Sequence, residues 1–170
     1  MEKVDTEFKL GRFFLSFVIF AYVISYTLLT LKFLIMSYQG DYSFIPEINS
    51  TEAGFSDSLM PLALFTIFGA ILGGSTLGII SLHRYSAIEK SLDIDHIWGY
   101  LMAPILSIII GILIFCFLQS GIFVLTGQSD TINMTKNIKI GYLSLGAICS
   151  YNWDVFIMKL QKLSSRIKDA

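Results

Sequence analysis

Polar and apolar positions along this chain fall into long blocks. Residues 13–31, 58–82 and 97–129 contain no Asp, Glu, Lys or Arg, and residues 140–158 contain only Asp154. An α-helix needs about 20 consecutive apolar residues to cross a bilayer core. The blocks therefore predict four spans, over residues 13–35, 58–82, 97–126 and 140–158. The expected fold class is all-α: an integral membrane four-helix transmembrane bundle, with residues 1–170 forming one transmembrane domain. A soluble protein with buried helices is excluded, because too little polar sequence remains to cover four such helices.

The block 58–82 has a second periodicity. On a helix, Thr66, Gly69, Gly73 and Thr76 share one side, and Ala63, Ala70, Gly74, Gly78 and Ser81 share the adjoining side. Leu64, Phe68, Ile71, Leu72, Ile79 and Leu82 fill the remaining arc, which is expected to face lipid. Within lipid, helices associate through close backbone approach across small residues. This helix is therefore expected at the centre of the bundle. Gly69, Gly73, Gly74 and Gly78, with Gly111 of the third span, are the candidate packing or oligomer-interface positions. One face serves packing within the chain and the other is free for a second copy.

The segments between the blocks complete the layout. Residues 1–12 form a mixed-charge lead expected at the membrane interface. A secretory signal peptide fits this end poorly, because the apolar run is long and aromatic and lacks a small-residue cleavage site. The loop 36–57 carries Asp41, Glu47, Glu52 and Asp57 and no basic residue. Its Tyr42, Phe44 and Ile48 give it something to pack, so it suits a small ordered cap. In 83–96, Tyr85, Ile88 and Leu92 recur at helical spacing and suggest a short interfacial helix; Asp95 is placed to cap the third span. Residues 127–139 are expected to form a polar turn. The fourth span is expected to run on as a helix into the tail, with Phe156, Leu160, Leu163 and Ile167 on one stripe. Tyr22 and Tyr26, one turn apart in the first span, are expected to bond a neighbouring helix.

Charge sets the orientation. Lys3, Lys9, Arg12, Arg84, Lys90, Lys159, Lys162, Arg166 and Lys168 lie on one side, against Lys32, Lys136 and Lys139 on the other. Basic residues favour the cytoplasmic face, so both termini are expected in the cytoplasm of a multi-pass protein of the cell inner membrane. Composition agrees: 54% of residues are hydrophobic and 15% charged, against about 25% charged in soluble domains. The net charge of −1 says nothing about nucleic acid, and no basic patch with interleaved aromatics occurs, so no direct nucleic-acid partner is expected.

Candidate chemistry is sparse. Gln119, Asn152 and Asp154 are polar groups at expected membrane depth, where an ionisable residue is a functional candidate; each also suits an ordinary role, Gln119 as interhelical glue and Asp154 as an interface residue near Lys159. Asp93, Asp95, His83 and His96 match no ligand spacing, so no metal site is expected. Cys116 and Cys149 lie inside spans and read as small packing residues. No nucleophilic triad or phosphate loop occurs, so neither enzyme activity nor a cofactor is expected. Two glycosylation-type sequons, at Asn49 and Asn133, lie on the expected outer side. Lys159, Lys162, Arg166 and Lys168 surround the apolar stripe of the tail and suit either anionic lipid or a cytosolic partner.

As a whole layout, the chain resembles the small four-span membrane subunits of some bacterial antiviral systems, Kiwa among them. The resemblance rests on the four spans, the acidic outer loop 36–57, the cytoplasmic termini and the basic tail from Lys159 to Lys168. It implies a non-catalytic, homo-oligomeric membrane component working with a soluble cytosolic protein, and it carries over no site residue. The expected function is thus a membrane sensor or anchor for a cytosolic partner, contacted through the 83–96 loop and the C-terminal tail. A pore-forming channel or membrane-disrupting effector is the alternative, and a small transporter the third class.

Overall fold

The computed structural model of the chain describes residues 2–45, 59–89, 95–121 and 134–168. Among these residues the structure is helical, with five α-helices and no strand. They are α1 (Glu2–Gln39), α2 (Met60–His83), α3 (Asp95–Gln119), α4 (Met134–Tyr151) and α5 (Trp153–Lys168). A π-helical turn, Arg84–Ile88, extends α2. Three helical stretches are long and apolar enough to cross a membrane: Phe13–Gln39, Met60–Ile88 and His96–Gln119.

Local chemistry explains the helix ends. Gly40 adopts φ +85°, and the chain closes α1 with Asp41 N–H donating to Met36 O (3.0 Å) and Gly40 N–H to Ser37 O (3.2 Å). These two bonds satisfy carbonyls that the helix end would otherwise orphan, and the left-handed position costs glycine no Cβ clash. Gly121, at φ +73°, closes α3 in the same way, its N–H donating to Leu118 O. α2 opens with Pro61 in its first turn, where a missing N–H removes no bond. After Gly40 the chain doubles back, and Phe44 stacks on Phe33 with ring centroids 4.7 Å apart.

α2 is the hub. α1 runs antiparallel to it: Tyr38 meets Phe65 at one end, and the Ser16 hydroxyl bonds the Ser86 hydroxyl (2.8 Å) at the other. We call the first the upper end and the second the lower end. α3 is also antiparallel, with Gly111 against Ile67 and Ala70 and Tyr100 packed beside Leu82, Ile19 and Val23. α4 runs parallel to α2, with Leu143 at Gly69 and Ala147 at Gly73. A second apolar cluster joins Ile110, Ile114 and Leu118 of α3 to Phe156 of α5.

Several boundaries differ from expectation, for identifiable reasons. α1 carries its helix through the charged lead, because nothing in residues 2–12 except Gly11 disfavours it. α3 ends at Gln119, seven residues before the apolar run does, because Gly121 supplies a left-handed stop. α4 begins at Met134, inside the segment expected to be a polar turn, so Lys136 and Lys139 lie in a helix. The arc of α2 expected to face lipid is divided: Phe68 and Leu82 are buried, while Thr76, expected on a docking side, is exposed. The expected interfacial helix in 83–96 is a π turn continuing α2, and residues 90–94 lie outside the described set, as do 46–58 and 122–133.

The largest difference lies in the block 140–158. α4 stops at Tyr151, and Ser150 sits at mid-depth of the bundle, its hydroxyl 3.1 Å from that of Ser107 and beside Gly74. Ser107 is halfway along α3. If the helix ran straight, Phe156 would lie about 9 Å below Ser150 at 1.5 Å per residue. Phe156 instead packs on Phe117, close to the upper end of α3, with ring centroids 6.4 Å apart. α5 therefore bends back upward at Asn152. The helix is interrupted at Asn152, and two backbone bonds hold the break, Asn152 N–H donating to Ile148 O (3.1 Å) and Phe156 N–H to Asn152 O (3.0 Å). The Asn152 side chain also donates to Ile148 O (3.2 Å). A polar side chain competing for a helix carbonyl is a recognised cause of a kink.

Candidate functional site

The small-residue positions of α2 are occupied within the chain. A Cβ at Gly69 would collide with the carbonyl of Leu143, and one at Gly73 with that of Ala147. Gly146 of α4 returns the contact, lying against the carbonyl of Thr66. Three helices meet at Gly74, where absence of a side chain leaves room for the Ser107–Ser150 hydrogen bond. Gly111 of α3 leaves space for the backbone of Ile67. Gly78 is looser: a Cβ there would lie 3.8 Å from Tyr26 Oη of α1. Both small faces of α2 thus meet helices of the same chain. Gly146 escaped sequence reasoning because it stands alone, without a second glycine at helical spacing in α4.

The polar candidates lie on the outside of the bundle, not between its helices. Gln119 is the exposed last residue of α3, and its Nε2 donates to Tyr142 Oη (3.3 Å) of α4. Asn152 is the kink residue. Asp154 is exposed in the first turn of α5, where a carboxylate favours the helix dipole. Tyr22 Oη donates to Leu101 O of α3 (3.4 Å), whereas Tyr26 Oη is buried without a partner. Lys139 reaches over the ring of Phe65, with Nζ 5.4 Å from its centroid. Lys159 and Lys162 are exposed on α5; the side chains of Arg166 and Lys168 lie outside the described set. Asp41, beyond the end of α1, accepts the Ser43 N–H (3.0 Å), and this bond holds its carboxyl below the usual range.

Because α4 stops at mid-depth, the lower half of the bundle is left open between α2 and α3. There the structure has a cavity of about 530 Å³, within the size range of ligand sites. Gly74, Gly78 and Ser81 form its α2 wall, and Gly99, Tyr100 and Ala103 its α3 wall. Ser150 and Trp153 roof it. Tyr85 of the π turn packs on His96 at the bottom, ring centroids 4.8 Å apart. Among the described residues no Asp, Glu, Lys or Arg lines it. In the same wall, Tyr100 Oη and His96 Nδ1 are buried with no hydrogen-bond partner, each at a cost of about 1–3 kcal/mol. The sequence pointed to the two glycine faces but not to this cavity. Its existence depends on where α4 ends, and the bend at Asn152 leaves no signature in hydrophobic periodicity.

Among the described residues no group of three or more His, Cys, Asp or Glu is placed to hold a metal ion. No protein-family model matches the chain, and neither a curated protein nor a solved structure matches it.

Proposed function

We propose that this chain is a non-enzymatic integral membrane protein that senses or anchors, with the bundle as its fixed part and α5 as its working surface. One observation carries the proposal. α5 is a basic amphipathic helix held to α3 mainly through one buried aromatic residue, Phe156 (6% exposed), while Lys159 and Lys162 remain exposed. A helix so attached can exchange its contacts for an acidic protein or an anionic lipid surface at modest cost. The rest of the described chain consists of spanning helices, the helix docked on them and their short ends, which fits an anchor.

The basic residues of the N-terminal lead and the 84–94 link, Lys3, Lys9, Arg12, Arg84 and Lys90, support a cytoplasmic lower end, which the basic tail joins when α5 leaves the upper half of α3. Self-association, in this proposal, uses the outward apolar faces of α1 and α3, since both small faces of α2 are filled. Phe13 and Phe14 of α1 and Trp98 of α3 are the most exposed of these residues. The antiviral role implied by the layout belongs to the same proposal: a cytosolic partner is recruited when the membrane is perturbed.

Deletion of residues 159–170 tests this. Co-purification of soluble proteins with the full chain, expressed with its genomic neighbours, is expected to be lost on deletion. Resistance of the shortened chain to alkaline extraction from membranes is expected to persist. Unchanged co-purification would overturn the role given to α5.

A further inference from the structure

The cavity in the lower half lies where α4 would continue if it did not bend. We infer that this groove is the second docking position of α5, and that α4 and α5 alternate between the bent form and one continuous helix that completes a fourth crossing. The inference rests on the membrane reading above and deepens it by naming the moving part and the surface that receives it.

Four observations converge. First, the groove follows the axis of α4: Ser150, in the last turn of α4, and Trp153, the first residue of α5, already form its roof. Second, its walls are built for a helix. Gly78 and Ser81 continue the Gly69–Gly73–Gly74 stripe of α2 that receives α4, and Gly99 and Ala103 face them from α3. Small residues on both walls allow close backbone approach. Third, the backbone bonds at the bend, Asn152 N–H to Ile148 O and Phe156 N–H to Asn152 O, are ones that a continuous helix also makes, so straightening keeps them. Only the Asn152 side-chain bond to Ile148 O and the Phe156 and Leu160 contacts are given up. Fourth, the sequence register supplies what the groove lacks. Leu143, Ala147 and Ser150 face α2 at helical spacing, and Asp154, Ile157 and Gln161 continue that row. Asp154 and Gln161 thereby bring hydrogen-bonding groups to a wall in which Tyr100 Oη and His96 Nδ1 have none. The straight form also carries Lys159 to Lys168 to the lower end, with the other basic segments.

The test uses disulfide trapping in the full chain, in phosphatidylcholine vesicles, with Cys116 and Cys149 replaced by alanine. Ser81→Cys with Ile157→Cys reports the straight form, and Leu118→Cys with Leu160→Cys the bent one. Both pairs are expected to cross-link within one chain. Ala103→Phe, which fills the groove, is expected to reduce the Ser81–Ile157 product about tenfold and leave the Leu118–Leu160 product unchanged. Absence of the Ser81–Ile157 product overturns the inference, as does its insensitivity to Ala103→Phe. A Ser81–Ile157 product that joins two chains overturns it in favour of a second copy as occupant. Alkaline extraction of the same samples separates the two proposals: a chain that stays in the membrane but never forms the straight product fails this inference alone.

Discussion

At the scale of single residues, the chain is held together by absent side chains. Gly69 and Gly73 place the backbone of α2 directly on carbonyls of α4, so even a methyl group forces the two helices apart. Gly69→Ala or Gly73→Ala is expected to destabilise the chain by about 1–3 kcal/mol, the usual cost of overpacking. Gly78→Ala, whose Cβ would meet nothing closer than 3.8 Å, is expected to be neutral or to stabilise by up to about 1 kcal/mol through helix propensity. Reversible unfolding in mixed detergent, followed by circular dichroism, measures both; equal effects at Gly73 and Gly78 would contradict the geometry. The glycine stripe was legible in the sequence because its period is that of a helix. Which helix each face receives was not, since glycine carries no chemistry that names its neighbour. Gln119 shows the converse: its polarity was legible, but its depth depended on the stop at Gly121.

At the scale of helices, uncharged blocks located α1, α2 and α3 well, because length and hydropathy alone define a spanning segment. The ends were harder to place. α1 runs through its charged lead, and α4 starts among residues that look like a turn, since helical hydrogen bonding is indifferent to exposed polar side chains. The break at Asn152 was invisible for a related reason: one amide side chain competing for Ile148 O redirects the helix without disturbing the apolar pattern on either side. This makes α5 the least secured element. Phe156→Ala removes the one buried residue among the described side chains of α5, and truncations of a buried Phe cost about 3–5 kcal/mol. Trypsin is expected to cut the variant after Lys159 and Lys162 markedly faster than the parent. Tryptic fragments from α2 and α3 are expected to appear no faster. Equal rates at Lys159 would show that α5 is held by something other than Phe156.

For the whole molecule, the sequence pattern anticipated a helical membrane protein with α2 at its centre, and the structure has three spanning-length helices with α2 as the hub among them. The cavity and the fold-back of α5 are properties of the assembled bundle and could not be read from any one segment. Sidedness is a property of the whole as well. A cysteine at Ala87, exposed in the π turn, is expected to react with a membrane-impermeant maleimide only when the cytoplasmic face is opened. One at Ser43 is expected to react from outside. The reverse pattern would invert the assignment made from Lys and Arg.

The parallel pairing of α2 with α4 also bears on how the chain is made. α2 is synthesised early, and the helix that fills its glycine groove is the last of the bundle to emerge. Until then that groove is bare backbone within the bilayer, open to any passing helix with a small-residue face. A ribosome that stalls after α3 leaves a product whose unfilled groove can accept α4 from a finished neighbour. Translation arrest would thus leave in the membrane an open α2 groove that the finished chain never presents.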